Sequence, residues 1–285
     1  MDLNMETLSE AFFDYNSKGL IPGPDESERD YLARVQYCLG LKENPPDFIK
    51  AADNLNDLDI KESRDKVRKI YDIDPDWVPL FRSNQGLAPW QVGCAWIYQL
   101  EKDSPLGAAL QIRKANSFFS YSSSEIISHE YVHIARMAFE EPKYEEFLAY
   151  QTSSSSFRAF WGALIHKQWE AWLFFFTVMI LLLLDFSLLY FQLFSLFTTF
   201  MWLKMVPIVM IIFSCLRLLR RRKKFKKCLA RLSSLTAQPM HVVIRLTDQE
   251  IDQFSTMNTE KIQQYINSQE PTSLRWKVTK KAYIP

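Results

Sequence analysis

Histidine is rare in this chain, with four residues in 285, and the four cysteines form no C-x-x-C pair. Cys38, Cys94, Cys215 and Cys228 are scattered, as expected for a reducing compartment rather than a disulfide framework. Cys228 follows a long apolar run closely enough to be a candidate for lipidation. All seven glycines fall at or before Gly162, too far apart to cradle a phosphate, so nucleotide binding has no support. No internal repeat is present. The chain opens at Met1-Asp2 on an acidic, polar stretch without an apolar run, so a cleaved leader is not expected.

What the chain has in excess is apolar length. Residues 171–216 are almost entirely apolar, interrupted by Asp185, Gln192, Lys204 and small hydroxyl residues. One helix of those 46 residues would stretch roughly 69 Å, far beyond a hydrocarbon core of about 30 Å. Two helices joined by a tight turn near residues 193–195 fit. Trp161, Trp169 and Trp172 precede the first span as an interfacial belt would. Asp185 and Lys204 lie nine or ten residues on either side of the turn. Charges at such depth cost about 2.5–3.5 kcal/mol each on insertion scales, so the two are expected to face one another rather than snorkel separately.

After the second span come Arg217, Arg220, Arg221, Arg222, Lys223, Lys224, Lys226, Lys227 and Arg231, with no acid among them. The net charge is +1, so these nine cations leave the rest of the chain at −8. By the positive-inside rule the run is a cytoplasmic anchor that contacts anionic lipid. Two spans then put both termini in the cytoplasm, at a bacterial type of cytoplasmic membrane. The acidic remainder and the lack of a binding fold argue against a nucleic-acid partner.

Two of the four histidines stand one helical turn apart with a glutamate between them, in His129-Glu130-Tyr131-Val132-His133. Positions i and i+4 share a helix face, so both imidazoles can reach one metal ion with Glu130 beside them as a base. A helix is expected over residues 123–140, started by an S-x-x-E capping box at Ser122 and Glu125 and ended by Pro142. Ile126, Ile127, Val132, Ala135, Met137, Ala138 and Phe139 make it apolar on most sides, hence buried. Burying two histidines and a glutamate without partners is costly, and a zinc ion removes that cost. A catalytic zinc takes three protein ligands. With no Cys or third His nearby, a carboxylate from Glu140, Glu141, Glu145 or Glu146 is the natural supplement.

The H-E-x-x-H run resembles the signature of zinc metallopeptidases. Residues 122–150 as a whole are similar to the gluzincin group, in which a second helix carries the third ligand in an E-x-x-A pattern followed by a polar residue. Glu146-Phe147-Leu148-Ala149-Tyr150 has that form. The resemblance implies zinc held by His129, His133 and Glu146, with Glu145 as second choice. It also implies that Glu130 acts as general base for a zinc-activated water attacking a peptide carbonyl. The chain departs from the pattern at Tyr150, where relatives often carry Asp or Asn, and in the short gap from His133 to Glu146. A plain antiparallel hairpin would bring Tyr150 rather than Glu146 nearest the histidines, so the second helix is expected to cross at an angle. Tyr150 or Tyr144 is the candidate oxyanion donor, with His166 a weaker one. Residues 92–100 and 108–113 read as strands joined by a turn-rich link. The resemblance implies an edge strand that pairs with an extended peptide substrate, and residues 108–113 are the nearer candidate. The hairpin could equally be a lid over the core.

Helices are expected over residues 5–15, 27–39 and 61–71, and residues 153–156 form a serine-rich link. Residues 242–246 look like a strand, and Thr247-Asp248-Gln249-Glu250 caps a helix. Leu274, Trp276 and Val278 alternate with Arg275, Lys277 and Thr279 as in a half-buried strand, suggesting a small βααβ unit. The expected fold is α+β. A mostly helical zincin-like catalytic domain with a small β-hairpin covers 1–165. A transmembrane helical hairpin with the basic run covers 166–232, and a small α+β segment covers 233–285. The function implied is a membrane-anchored zinc metalloendopeptidase. The alternative is a membrane-anchored scaffold, or an inactive protease descendant, with a structural zinc site or none.

Overall fold

The structure, a computed structural model, describes residues 5–47, 49, 57–88, 91–102, 104–114, 122–165 and 168–285. The three helices expected at the start form as α1 (Met5–Ser17), α2 (Glu28–Gly40) and α3 (Asp57–Tyr71). Between α1 and α2, Leu20 and Ile21 pass through the core in non-helical backbone. Their carbonyls accept hydrogen bonds from the Tyr31 hydroxyl and the Arg34 guanidinium at 2.8 and 3.0 Å. Those donors make burial of the connection affordable, because an unpaired carbonyl there would be penalised.

Three strands, β1 (Leu80–Arg82), β2 (Gly93–Tyr98) and β3 (Gly107–Ile112), form a mixed sheet in the order β1-β3-β2. The expected hairpin is β2 with β3, pairing Gly93 with Ile112 and Tyr98 with Gly107. β1 runs parallel to β3 and is too short to show an alternation pattern. Its presence moves β3 to the middle, where all six residues are buried. The expectation that residues 108–113 form the edge is therefore overturned: the edge strand on this side is β2.

α4 (Ser123–Ala135) packs on α3 and on β2 and β3. It is shorter than expected. Arg136 caps it, residues 136–139 turn, and Glu140 adopts φ 51, which reverses the chain. Pro142 then opens α5 (Pro142–Ala149), the helix position its missing amide suits, instead of ending α4. Only half of the expected capping box forms. Ser122 accepts the Glu125 amide at 3.2 Å, but the Glu125 carboxylate turns to Arg158, Ser153 and Ser154. The serine link is thereby tied beneath the first turn of α4 and leads into α6 (Ser156–Trp161).

α7 (Gln168–Tyr190) is followed by a reversal with Gln192 at φ 57, α8 (Phe194–Phe200), one 3-10 turn and α9 (Met205–Leu232). Trp169–Tyr190 and Phe194–Leu232 are long and apolar enough to cross a membrane. Asp185 and Lys204 meet across the pair at 2.9 Å, as expected. α9 continues through the basic run into the globular part, where Leu218, Phe225, Cys228 and Leu232 are buried. Cys228, the candidate for lipidation, is fully buried there.

The C-terminal strands do not form. Residues 242–246 lie in the short helix α10 (Pro239–Val243) and the turn after it, and residues 274–279 lie in a helix. That segment is helical throughout, with α11 (Asp248–Phe254), α12 (Thr259–Gln269) and α13 (Leu274–Tyr283). The expected capping box of Thr247 and Glu250 is present. In α13 the buried set is Arg275, Trp276, Val278 and Thr279, a helical spacing. Counting Arg275 as an outward polar residue produces the false alternation. Its charge is instead buried against Glu250 at 2.9 Å. One hydrophobic core runs from Phe12 to Ile284 and includes both the first helices and this last segment.

Candidate metal centre

The site is assembled by α4 and α5. Ser122 fixes the start of α4, so His129 and His133 fall on one face, their Nε2 atoms 3.2 Å apart. The reversal at Glu140 brings α5 back across that face. Glu146 then lies between the two rings, with Oε2 3.5 Å from His129 Nε2 and Oε1 3.6 Å from His133 Nε2. His129, His133 and Glu146 each offer a donor atom within 4.8 Å of the others. Bonds of about 2.0–2.1 Å in tetrahedral geometry separate ligand atoms by about 3.3 Å. The two imidazole nitrogens stand at about that separation and the Glu146 carboxylate faces one with each oxygen, so the group could hold a metal ion.

The neighbouring acids take different roles. Glu145 meets His133 Nδ1 at 2.7 Å, a contact that in the neutral ring would hold the proton on Nδ1 and leave the Nε2 lone pair facing the cluster. Burial by itself would lower the His133 pKa. The facing carboxylates of Glu146, Glu145 and Glu130 outweigh that effect and carry it to about 10. Such an excess of negative charge is what a cation would neutralise. Glu140 is exposed, and Glu141 accepts the Asp248 amide at 2.6 Å, so neither joins the donors.

Glu130 projects towards the sheet, where its Oε2 accepts the Ala95 amide of the edge strand at 2.8 Å. This contact depends on a glycine: a Cβ at Gly93 would lie 2.4 Å from the Ile126 side chain of α4. Tyr150 follows α5, its ring edge-on to His129 with centroids 4.6 Å apart. Gly162 leaves room for that ring, since a Cβ there would come within 2.3 Å of it. Sequence periodicity cannot reveal either glycine's role, because the partners lie on other elements.

No known protein family, curated protein or solved structure matches this chain. Among the expected residues, His129, Glu130, His133, Glu146 and Tyr150 all line one groove of about 650 Å³. Tyr144 does not. It is buried behind α5 and donates its hydroxyl to Asp252 at 2.8 Å, which removes it as an oxyanion donor. His166 lies outside the described residues. Glu145, Ala95, Gly93 and Gly162 complete the surroundings. Of these, only Glu145 carried a signal in the sequence, as the neighbour of Glu146.

Proposed function

We propose that this chain is a membrane-anchored zinc-dependent endopeptidase. The observation that carries the proposal is the His129, His133 and Glu146 donor triangle with Glu130 beside it at the sheet edge. When bound there, zinc would polarise a peptide carbonyl and make water a nucleophile near neutral pH. Glu130 would take the proton from the attacking water and deliver it to the departing amine. To do so it must exchange its contact with the Ala95 amide for one with water, which frees that edge amide for a substrate carbonyl. β2 would thus pair with an extended substrate through its backbone. Tyr150 would donate its hydroxyl to the developing oxyanion.

Under this proposal the two apolar helices form a transmembrane hairpin, with both termini in the cytoplasm. Arg220, Lys223, Lys227 and Arg231 are exposed and follow one face of α9, where they would meet anionic headgroups. The deciding experiment measures zinc content and peptide hydrolysis on the purified chain beside Glu130→Gln. One zinc per chain in both proteins, with hydrolysis only in the first, supports an enzyme. A metal-free chain points to a scaffold. Zinc without any Glu130-dependent hydrolysis points to an inactive homologue.

A further inference from the structure

The groove that holds the donor cluster has a second wall, and that wall belongs to the membrane region. Opposite β2 it is lined by Trp161, Gly162, Leu164 and Ile165, and it reaches Ala171, the third residue of the first apolar span. The groove therefore runs from the metal donors to the level of the first turn of that apolar helix.

Two further observations fix that level. Arg217 of α9 forms a two-pronged ion pair with Glu170 of α7, both contacts at 2.7 Å, and also reaches the Leu164 carbonyl at 3.4 Å. The start of the first span, the end of the second and the groove wall are thus clamped together. Around this clamp, Phe157, Ile165 and Trp169 are 71%, 52% and 58% exposed, large apolar side chains with little protein cover. The exposed cations Arg220 and Lys223 begin less than two turns further along α9. Apolar side chains next to a belt of cations mark a headgroup boundary.

We propose that the groove takes its peptide from the membrane side. The substrate is the extended juxtamembrane stretch of a polypeptide anchored in the same bilayer. This rests on the peptidase function proposed above. The groove's volume lies within the range of about 300–1,000 Å³ that encloses small ligands, so it admits a short unfolded segment and excludes a folded domain. Its apolar lining at Val92, Ile97, Trp161, Leu164 and Ile165 suits the apolar residues that flank a membrane span. Anchoring in a shared bilayer would also raise the effective concentration of such a segment at the groove mouth.

The test uses the full chain in vesicles of phosphatidylcholine and phosphatidylglycerol. The probe is a polypeptide with one membrane span, followed by several identical cleavable segments at increasing distance from the bilayer, separated by Gly/Ser spacers. Mass spectrometry of the products locates the cuts. In parallel, Glu130→Gln is incubated with the same probe carrying a photo-crosslinking residue in each segment, a readout that needs no turnover. The expected result is cleavage about 10-fold faster at the segment next to the bilayer than at the farthest, with crosslinks from that segment to the groove residues. Even cleavage and even crosslinking along the probe overturn the proposal. If a free peptide is cut while the anchored probe is cut evenly, only this inference fails. If neither is cut in a Glu130-dependent way, the peptidase function fails, and the crosslinks still report whether the groove receives the membrane-proximal segment.

Discussion

Glu145 and Glu146 are adjacent in sequence, yet one orients a histidine and the other completes the donor set. That division makes separable predictions. His129→Ala, His133→Ala and Glu146→Ala are each expected to abolish or greatly weaken zinc binding, while Glu140→Ala leaves it unchanged. Glu145→Gln is expected to lower affinity by about 10–100-fold, the usual cost of losing a carboxylate behind a metal-bound histidine. Titration calorimetry on these five variants and on the double variant His129→Ala/His133→Ala checks this, and undiminished binding in the double variant would sink the site. Tyr150→Phe is expected to keep the metal and lower kcat by about 10²-fold, the effect of removing one oxyanion donor. Equal loss of both zinc and turnover would mean the ring supports the histidines instead.

At the level of elements, the two apolar helices are keyed to one another by Asp185 and Lys204. Each charge alone would cost about 2.5–3.5 kcal/mol within a bilayer, so the pair offsets most of its own penalty. Asp185→Lys is expected to impair insertion or lower yield in membranes, and Lys204→Asp added to it should restore both. A double reversal no better than the single one would show that the contact does not set the register. The hairpin of spans also predicts that reporters fused to either terminus behave as cytosolic. Protection of the two ends from opposite sides would exclude it. The two long apolar helices, their pairing charges and the motif helix were legible because each is a local pattern of helical period or apolar length. The edge strand was not: whether β2 or β3 lies outermost depends on β1, three residues that carry no pattern of their own.

In the whole molecule, the end of the chain completes the domain that begins it. Arg136, which caps the metal helix, donates to the carbonyls of Ile244 and Leu246 at 2.7 and 2.8 Å. Arg275 and the Trp276 indole both bond the buried Glu250. Burial would raise the Glu250 carboxyl, but Arg275, the Thr247 amide and Trp276 hold it below its ordinary value of 4.5. A depressed carboxylate stabilises the fold above that value and loses the contribution as pH falls through and below it. Stability measured by urea denaturation is therefore expected to drop below about pH 4.5, and Glu250→Gln should flatten that dependence. The same variant leaves Arg275 buried without its counter-charge, which costs about 3–5 kcal/mol at neutral pH. An unchanged acid profile in Glu250→Gln would assign the transition to other carboxylates. By itself the sequence determined the histidine pair with Glu130 between them, the choice among a few nearby acids, and two helices long and apolar enough to cross a membrane, because one or two turns of helix and a count of apolar residues are enough for those. The tertiary structure alone decided which acid faces the two histidines, which strand is the edge, that the last segment is helical, and that the groove reaches the first turn of the first long apolar helix. Each of these depends on contacts between residues far apart in the chain, and a buried ion pair such as Arg275 with Glu250 removes the polarity pattern that would have announced it.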